Sequence, residues 1–65
     1  MQATIQNAIE RKRRINYVEQ AIRNALKESL MIDYEALCIL ICEEFNCAMR
    51  TAKEYIKIAR HRIDG

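Results

Sequence analysis

The chain of 65 residues has no proline and no tryptophan, and its single glycine is the last residue. Because proline breaks helices and glycine permits left-handed turns, nothing in the composition interrupts helix formation before the end of the chain. The longest apolar run, from Ala36 to Cys42, has seven residues and is too short to cross a bilayer. The first residues lack the charged start and apolar core of a secretory signal. We therefore expect a helical, cytoplasmic protein outside the membrane.

The groups that catalysis requires are scarce as well. The chain has one histidine, His61, no glycine-rich phosphate loop and no Ser-His-Asp set. No second carboxylate is placed to work with Glu43 or Glu44 as an acid and base pair. We expect no enzymatic activity, no small-molecule substrate and no cofactor.

Cysteine is present in an odd number, at positions 38, 42 and 47, within or beside the most apolar stretch. Small buried thiols in a reducing compartment account for this pattern. A zinc site would need a fourth ligand, and only His61 is available, without any paired Cys or His spacing. The sequence therefore predicts no metal site.

Charge is distributed unevenly although the net charge is only +2. Residues 1–30 carry six Lys or Arg against three Glu, residues 31–48 carry four acids and no base, and residues 49–65 carry five bases against two acids. Basic blocks at both ends of an acidic middle suit the binding of phosphates. A single domain of this size buries only about 60% of its unfolded surface, which favours an oligomer.

Apolar residues recur at intervals of three and four, which predicts helices rather than strands. The first helix is expected over 3–29 and, at 1.5 Å per residue, is too long for so small a domain to cover. Its N-terminal apolar residues are therefore candidates for a dimer interface: Ile5, Ala8, Ile9 and Ile15. One turn interrupts the stripe with four bases that cannot all be buried and are candidates for phosphate contacts: Arg11, Lys12, Arg13 and Arg14.

Two further helices are predicted, over 33–44 and 49–63. Asp33 is a good N-cap for the second, whose apolar positions, Leu40 among them, cover more than half its circumference. Such a helix is expected at the centre of the domain, packed on both neighbours, with Ile39 left outside the stripe. The third helix has an inner stripe of Ala52, Tyr55, Ile56, Ala59 and Ile63. No alternating segment follows, so no wing of strands is expected.

The residues between the second and third helices meet the chemical demands of a helix-turn-helix. The helix before the turn, here the second predicted helix, needs a small side chain where the helix after the turn crosses it. Cys42 supplies one. The turn needs positive φ, and Asn46 is the best substitute for glycine. Apolar anchors flank the turn at Ile41 and Phe45 before it and Tyr55 after it.

The stretch from Ile41 to Ile56 resembles the helix-turn-helix of small transcriptional regulators. It is similar to their pattern of apolar, small, two polar, Leu, Gly, Val, Ser, two variable, Thr, Val, two variable, Tyr and aliphatic residues. Two positions depart from the pattern: Asn46 replaces glycine, and Ala48 replaces the serine that usually caps the recognition helix. The resemblance implies an all-α domain covering residues 1–65, with a long helix followed by a helix-turn-helix.

The resemblance further implies that the third helix enters the major groove of double-stranded DNA. Arg50 would then contact a guanine edge and Glu54 a cytosine amine, and Lys57 suits a phosphate. We refer to the implied DNA contacts as the recognition face: Met49, Arg50, Thr51, Lys53, Glu54, Lys57 and Arg60. Two alternatives remain open for this face. In the first, the face is a solvated exterior with a pair between Glu54 and Lys57. In the second, the protein is a helical interaction module or accessory subunit, and the face docks on RNA or on an acidic protein. The function expected is that of a homodimeric transcriptional regulator.

Overall fold

The computed structural model describes the backbone from Gln2 to Gly65 and the side chains from Asn7 to Gly65. Within these residues the fold is all-α, with three helices and no strand. Helix α1 spans Gln2–Lys27, α2 spans Tyr34–Phe45 and α3 spans Met49–Asp64. No helix in the described part of the chain is long and apolar enough to cross a membrane.

Helix α1 ends at Lys27, two residues before the predicted boundary. Ser29 follows with a φ of 58°, and the amide of Leu30 donates to the carbonyl of Ala25 at 2.9 Å. This is the geometry of a Schellman ending, in which a left-handed residue closes the last turn. Serine tolerates this conformation less well than glycine, and the chain has no internal glycine to offer.

Helix α2 begins where the sequence predicts it. The carboxylate of Asp33 accepts hydrogen bonds from the amides of Glu35 and Ala36 at 3.1 and 3.2 Å, and its backbone is extended, as an N-cap requires. Glu35 adds a negative charge in the first turn, which interacts favourably with the helix dipole.

The core contains residues from all three helices, and α3 lies at its centre, packing against both α1 and α2. The prediction that α2 would be central is therefore wrong. The apolar pattern of α2 includes Leu40 among its inward positions, but Leu40 is 61% exposed. Only one side of α2 is covered, so Cys38 and Ile41 are its two buried residues. The buried residues of the hydrophobic core are Ile15, Val18, Ile22, Cys38, Ile41, Ala52, Tyr55, Ile56 and Ala59.

Polar and aromatic contacts fix the helices against one another. Arg62 donates to Asn16 at 2.7 Å, which joins the end of α3 to the middle of α1. The ring of Phe45, at the end of α2, meets the ring of Tyr17 edge to face at 5.2 Å between centroids. Such pairs contribute about 0.5–1.5 kcal/mol beyond the area that they bury. Phe45 therefore anchors the end of α2 on α1, directly before the turn.

Candidate nucleic-acid interface

The turn between α2 and α3 has the left-handed residue that the sequence predicts. Asn46 adopts φ 52° and ψ 48°, and its backbone amide donates to the carbonyl of Cys42. The amide of Cys47 donates to the same carbonyl at 3.2 Å. These bonds close α2 and turn the chain, so that only three residues separate the two helices.

The N-terminus of α3 lacks a side-chain cap, as the sequence predicts. Ala48 has the extended backbone of an N-cap residue, with φ −74° and ψ 155°, but offers no side-chain oxygen. The carbonyl of Ala48 accepts a hydrogen bond from the amide of Ala52 at 3.0 Å. Because no side chain caps the helix, the amides of Arg50 and Thr51 have no capping partner. Free amides at a helix N-terminus, together with the helix dipole, favour an anion such as phosphate.

The recognition face forms one continuous side of α3. Its opposite side is the predicted inner stripe, of which four residues are buried and Ile63 is half-buried. Six residues of the recognition face are exposed, and Thr51 is half-buried. Met49, the first residue of the helix, is 39% exposed and is the one large apolar side chain among them.

The acid on this face has a partner that the sequence does not indicate. The carboxylate of Glu54 lies 2.9 Å from the guanidinium of Arg11 on α1, and both side chains are at least half exposed. The pair brings Arg11 alongside α3, so part of the basic turn of α1 adjoins the recognition face. Exposed pairs of this kind contribute about 0–1 kcal/mol, so its role in stability is small.

The other bases of that turn separate into two groups. Lys12 and Arg13 are exposed, and Arg13 lies 3.8 Å from Glu10. The side chain of Arg14 is only 27% exposed, and its guanidinium lies 5.3 Å from the centre of the Phe45 ring. Arg14 is therefore the one base of this turn that is largely covered, because a guanidinium can stack on an aromatic ring while its stem packs on apolar surface. The neighbouring Tyr55 side chain raises the pKa of Arg14, which stays charged.

The far end of α3 is fixed by two arginines. Arg60 stands over the ring of Tyr34 at 4.5 Å, which holds this exposed base against the start of α2. Arg62 contacts Asn16 and lies 3.4 Å from Glu19. The sequence pattern does not mark Arg62, because its partners are 43 and 46 residues away and periodicity carries no information on them.

The candidate dimer residues differ in how exposed they are. Ile15 is 3% exposed and lies in the domain's own core, so it is not available to a partner. Ala8 is exposed and Ile9 is 53% exposed. The side chain of Ile5 lies outside the described residues. Other large apolar side chains that are exposed include Leu30, Met31, Ile39 and Leu40.

The geometry therefore combines a glycine-free helix-turn-helix turn, uncapped amides at the start of α3 and a mostly basic exposed face. Comparison of the chain with protein-family models, with curated proteins and with solved structures gives no match, so the functional assignment rests on this geometry.

Proposed function

We propose that this protein is a small cytoplasmic DNA-binding regulator of transcription that inserts α3 into the major groove. The observation that carries the proposal is the left-handed turn at Asn46, which leads directly into a helix whose outer side is basic and exposed. An α-helix fits the width of the major groove, and the first residues of a recognition helix contact base edges.

The positions on α3 suggest a division of roles. Arg50, in the first turn, suits a bidentate contact with guanine, and Lys53, one turn later, lies on the same exposed side. Thr51, Lys57 and Arg60 suit phosphates, as do the uncapped amides of the first turn. Arg11 is held beside Glu54 and extends the basic surface onto α1.

The proposal includes a homodimer, because a single domain of this size makes few phosphate contacts. Two recognition helices related by two-fold symmetry would read half-sites about 34 Å apart. The exposed Ile9, on the part of α1 that precedes the core residues, is the described candidate for the interface. Sedimentation of the Ile9→Glu variant should show a shift to monomer; unchanged association places the interface elsewhere.

The test of DNA binding is a titration of duplex DNA at several salt concentrations. Affinity should fall steeply with salt, Lys53→Ala should reduce the salt slope by about one, and Arg50→Ala should cost about 1–3 kcal/mol. Lys27→Ala, which removes an exposed base at the far end of α1, is the matched control and should change neither quantity. No detectable binding of duplex near 50 mM salt, a concentration at which such contacts are strong, would overturn the proposal.

A second candidate function is an interaction module or accessory subunit of a nucleic-acid-processing complex. The observation that favours it is the exposure of Leu30, Met31, Ile39 and Leu40, four large apolar side chains that a protein partner would cover. Two results together would support this function over DNA binding. The duplex titration would show no binding, and an Ile39→Glu, Leu40→Glu variant would lose a protein partner that the unaltered chain binds.

A further inference from the structure

Glu54 is the one acid among the seven residues of the recognition face. A carboxylate that faces the phosphates of a duplex is repelled by them, so it weakens binding unless a cation compensates it. The structure provides that cation from another helix. Nη2 of Arg11, on α1, donates to Oε1 of Glu54 at 2.9 Å, and the two side chains are 50% and 59% exposed. The pair therefore lies on the surface that would face DNA.

The hydrogen bond from Arg11 leaves acceptor capacity on the carboxylate of Glu54. An ionised carboxylate has two oxygens and about four acceptor positions. Arg11 donates to Oε1, so Oε2 retains acceptor positions for a second donor. Because more than half of the Glu54 side chain is exposed, a base edge in the groove can reach that oxygen.

The part of α1 that carries Arg11 is packed on the domain. Ile15, one turn after Arg11, is 3% exposed and lies in the core that α1 shares with α3. Between them, Arg14 is largely covered, with its guanidinium 5.3 Å from the centre of the Phe45 ring. The backbone of this turn is therefore fixed relative to α3. A side chain that a fixed partner already holds loses less freedom when it binds a ligand.

Cytosine presents the donor that suits a carboxylate. Its N4 amine is the group that it offers in the major groove, whereas the amine of adenine stands beside the acceptor N7, which repels a carboxylate. We propose that Arg11 is a positioning residue for base readout: its bond to Oε1 orients Glu54 so that Oε2 accepts from a cytosine amine. The inference rests on the proposed DNA binding, and it gives Arg11 a task at a base edge in place of the phosphate contact expected from the sequence.

The test is selection of bound duplexes from a random pool by the full chain, followed by titration of the selected duplex and of versions with one cytosine replaced. The unaltered chain should prefer cytosine at one position by about fivefold, the lower end of the range for contacts with base edges. Glu54→Ala should abolish this preference. Arg11→Gln should weaken it by about twofold or more, the cost of ordering a carboxylate that is no longer held. Arg11→Lys should retain it, because an ammonium can replace the single nitrogen in contact with Oε1.

Arg13→Gln is the matched control. Arg13 belongs to the same basic turn and is exposed, but its acid partner is Glu10 on α1 itself, at 3.8 Å. Its loss should leave the cytosine preference unchanged, whatever its effect on affinity for all duplexes. In Arg11→Gln, the guanine preference expected of Arg50 and the salt slope should both match those of the unaltered chain. Far-UV circular dichroism checks that each variant is folded.

Three results would overturn the inference and leave the proposed function intact. The first is a cytosine preference in folded Arg11→Gln equal to that of the unaltered chain; a salt slope lower by about one would then identify Arg11 as a phosphate contact. The second is an equal loss of preference in Arg13→Gln. The third is sequence-selective binding in which Glu54→Ala changes no base preference. Absence of duplex binding by the unaltered chain would instead overturn both the inference and the proposed function.

Discussion

Substitution of Ala48 by serine should stabilise the protein, because it supplies the side-chain cap that α3 lacks. Ala48 already has the extended backbone of an N-cap, with φ −74° and ψ 155°, and it is exposed, so a hydroxyl fits without rearrangement. A serine Oγ would accept from the free amide of Arg50 or Thr51. Because Ala48 is outside the helix, the substitution carries no helix-propensity penalty.

The magnitude follows from the cap that the structure does have. At the start of α2, Asp33 makes the corresponding bonds to the amides of Glu35 and Ala36 at 3.1 and 3.2 Å. Exchange of such a residue for alanine costs about 1 kcal/mol. Ala48→Ser should therefore add about 1 kcal/mol and Asp33→Ala should remove about the same amount, and each change corresponds to a shift in Tm of about 4–8 °C in a domain of this size.

The assay is thermal unfolding followed by circular dichroism, at one fixed protein concentration because an oligomer makes Tm concentration-dependent. Ala36→Ser is the control, since it introduces the same hydroxyl at an exposed position within a helix that is already capped. It should lower Tm slightly or not at all. A Tm for Ala48→Ser that matches the unaltered chain, alongside the expected loss in Asp33→Ala, would refute the reasoning that α3 begins with uncapped amides.

Three other outcomes are expected. Ile41 is 1% exposed, so Ile41→Ala should lower the free energy of unfolding by about 2–5 kcal/mol in chemical denaturation and leave little folded protein. Leu40→Ala should change it by less than about 0.5 kcal/mol. Equal losses in the two variants would mean that α2 is rotated about its axis relative to the structure. The hydrogen bond from Arg23 lowers the pKa of Glu19 below its ordinary value of 4.5, so the unfolded state binds more protons and stability should fall as pH drops below that value. Glu19→Gln should flatten this decline in denaturation curves recorded between pH 6 and pH 3, and an unchanged slope would assign it to other carboxylates. Glu54→Gln should raise non-specific duplex affinity in the salt titration, because it removes the acid from the recognition face and frees its basic partner; weaker binding to every duplex would contradict this.

Local features of the fold were predictable because short-range chemistry determines them. Asp33 and Asn46 are each the residue type that a cap or a left-handed turn requires, and the structure has both as predicted. The inner stripe of α3 follows from periodicity alone. In each case the residues that matter lie within a few positions of one another in the sequence.

Features that depend on the arrangement of the helices were not predictable. The apolar pattern of α2 marks Leu40 as a core residue, but burial needs a covering helix, and the one neighbour that packs extensively on α2 is α3. The stacking of Arg14 on Phe45 and the pairing of Arg11 with Glu54 join residues at least 31 positions apart. A sequence gives the charge of such residues, and only the packed helices give their partners.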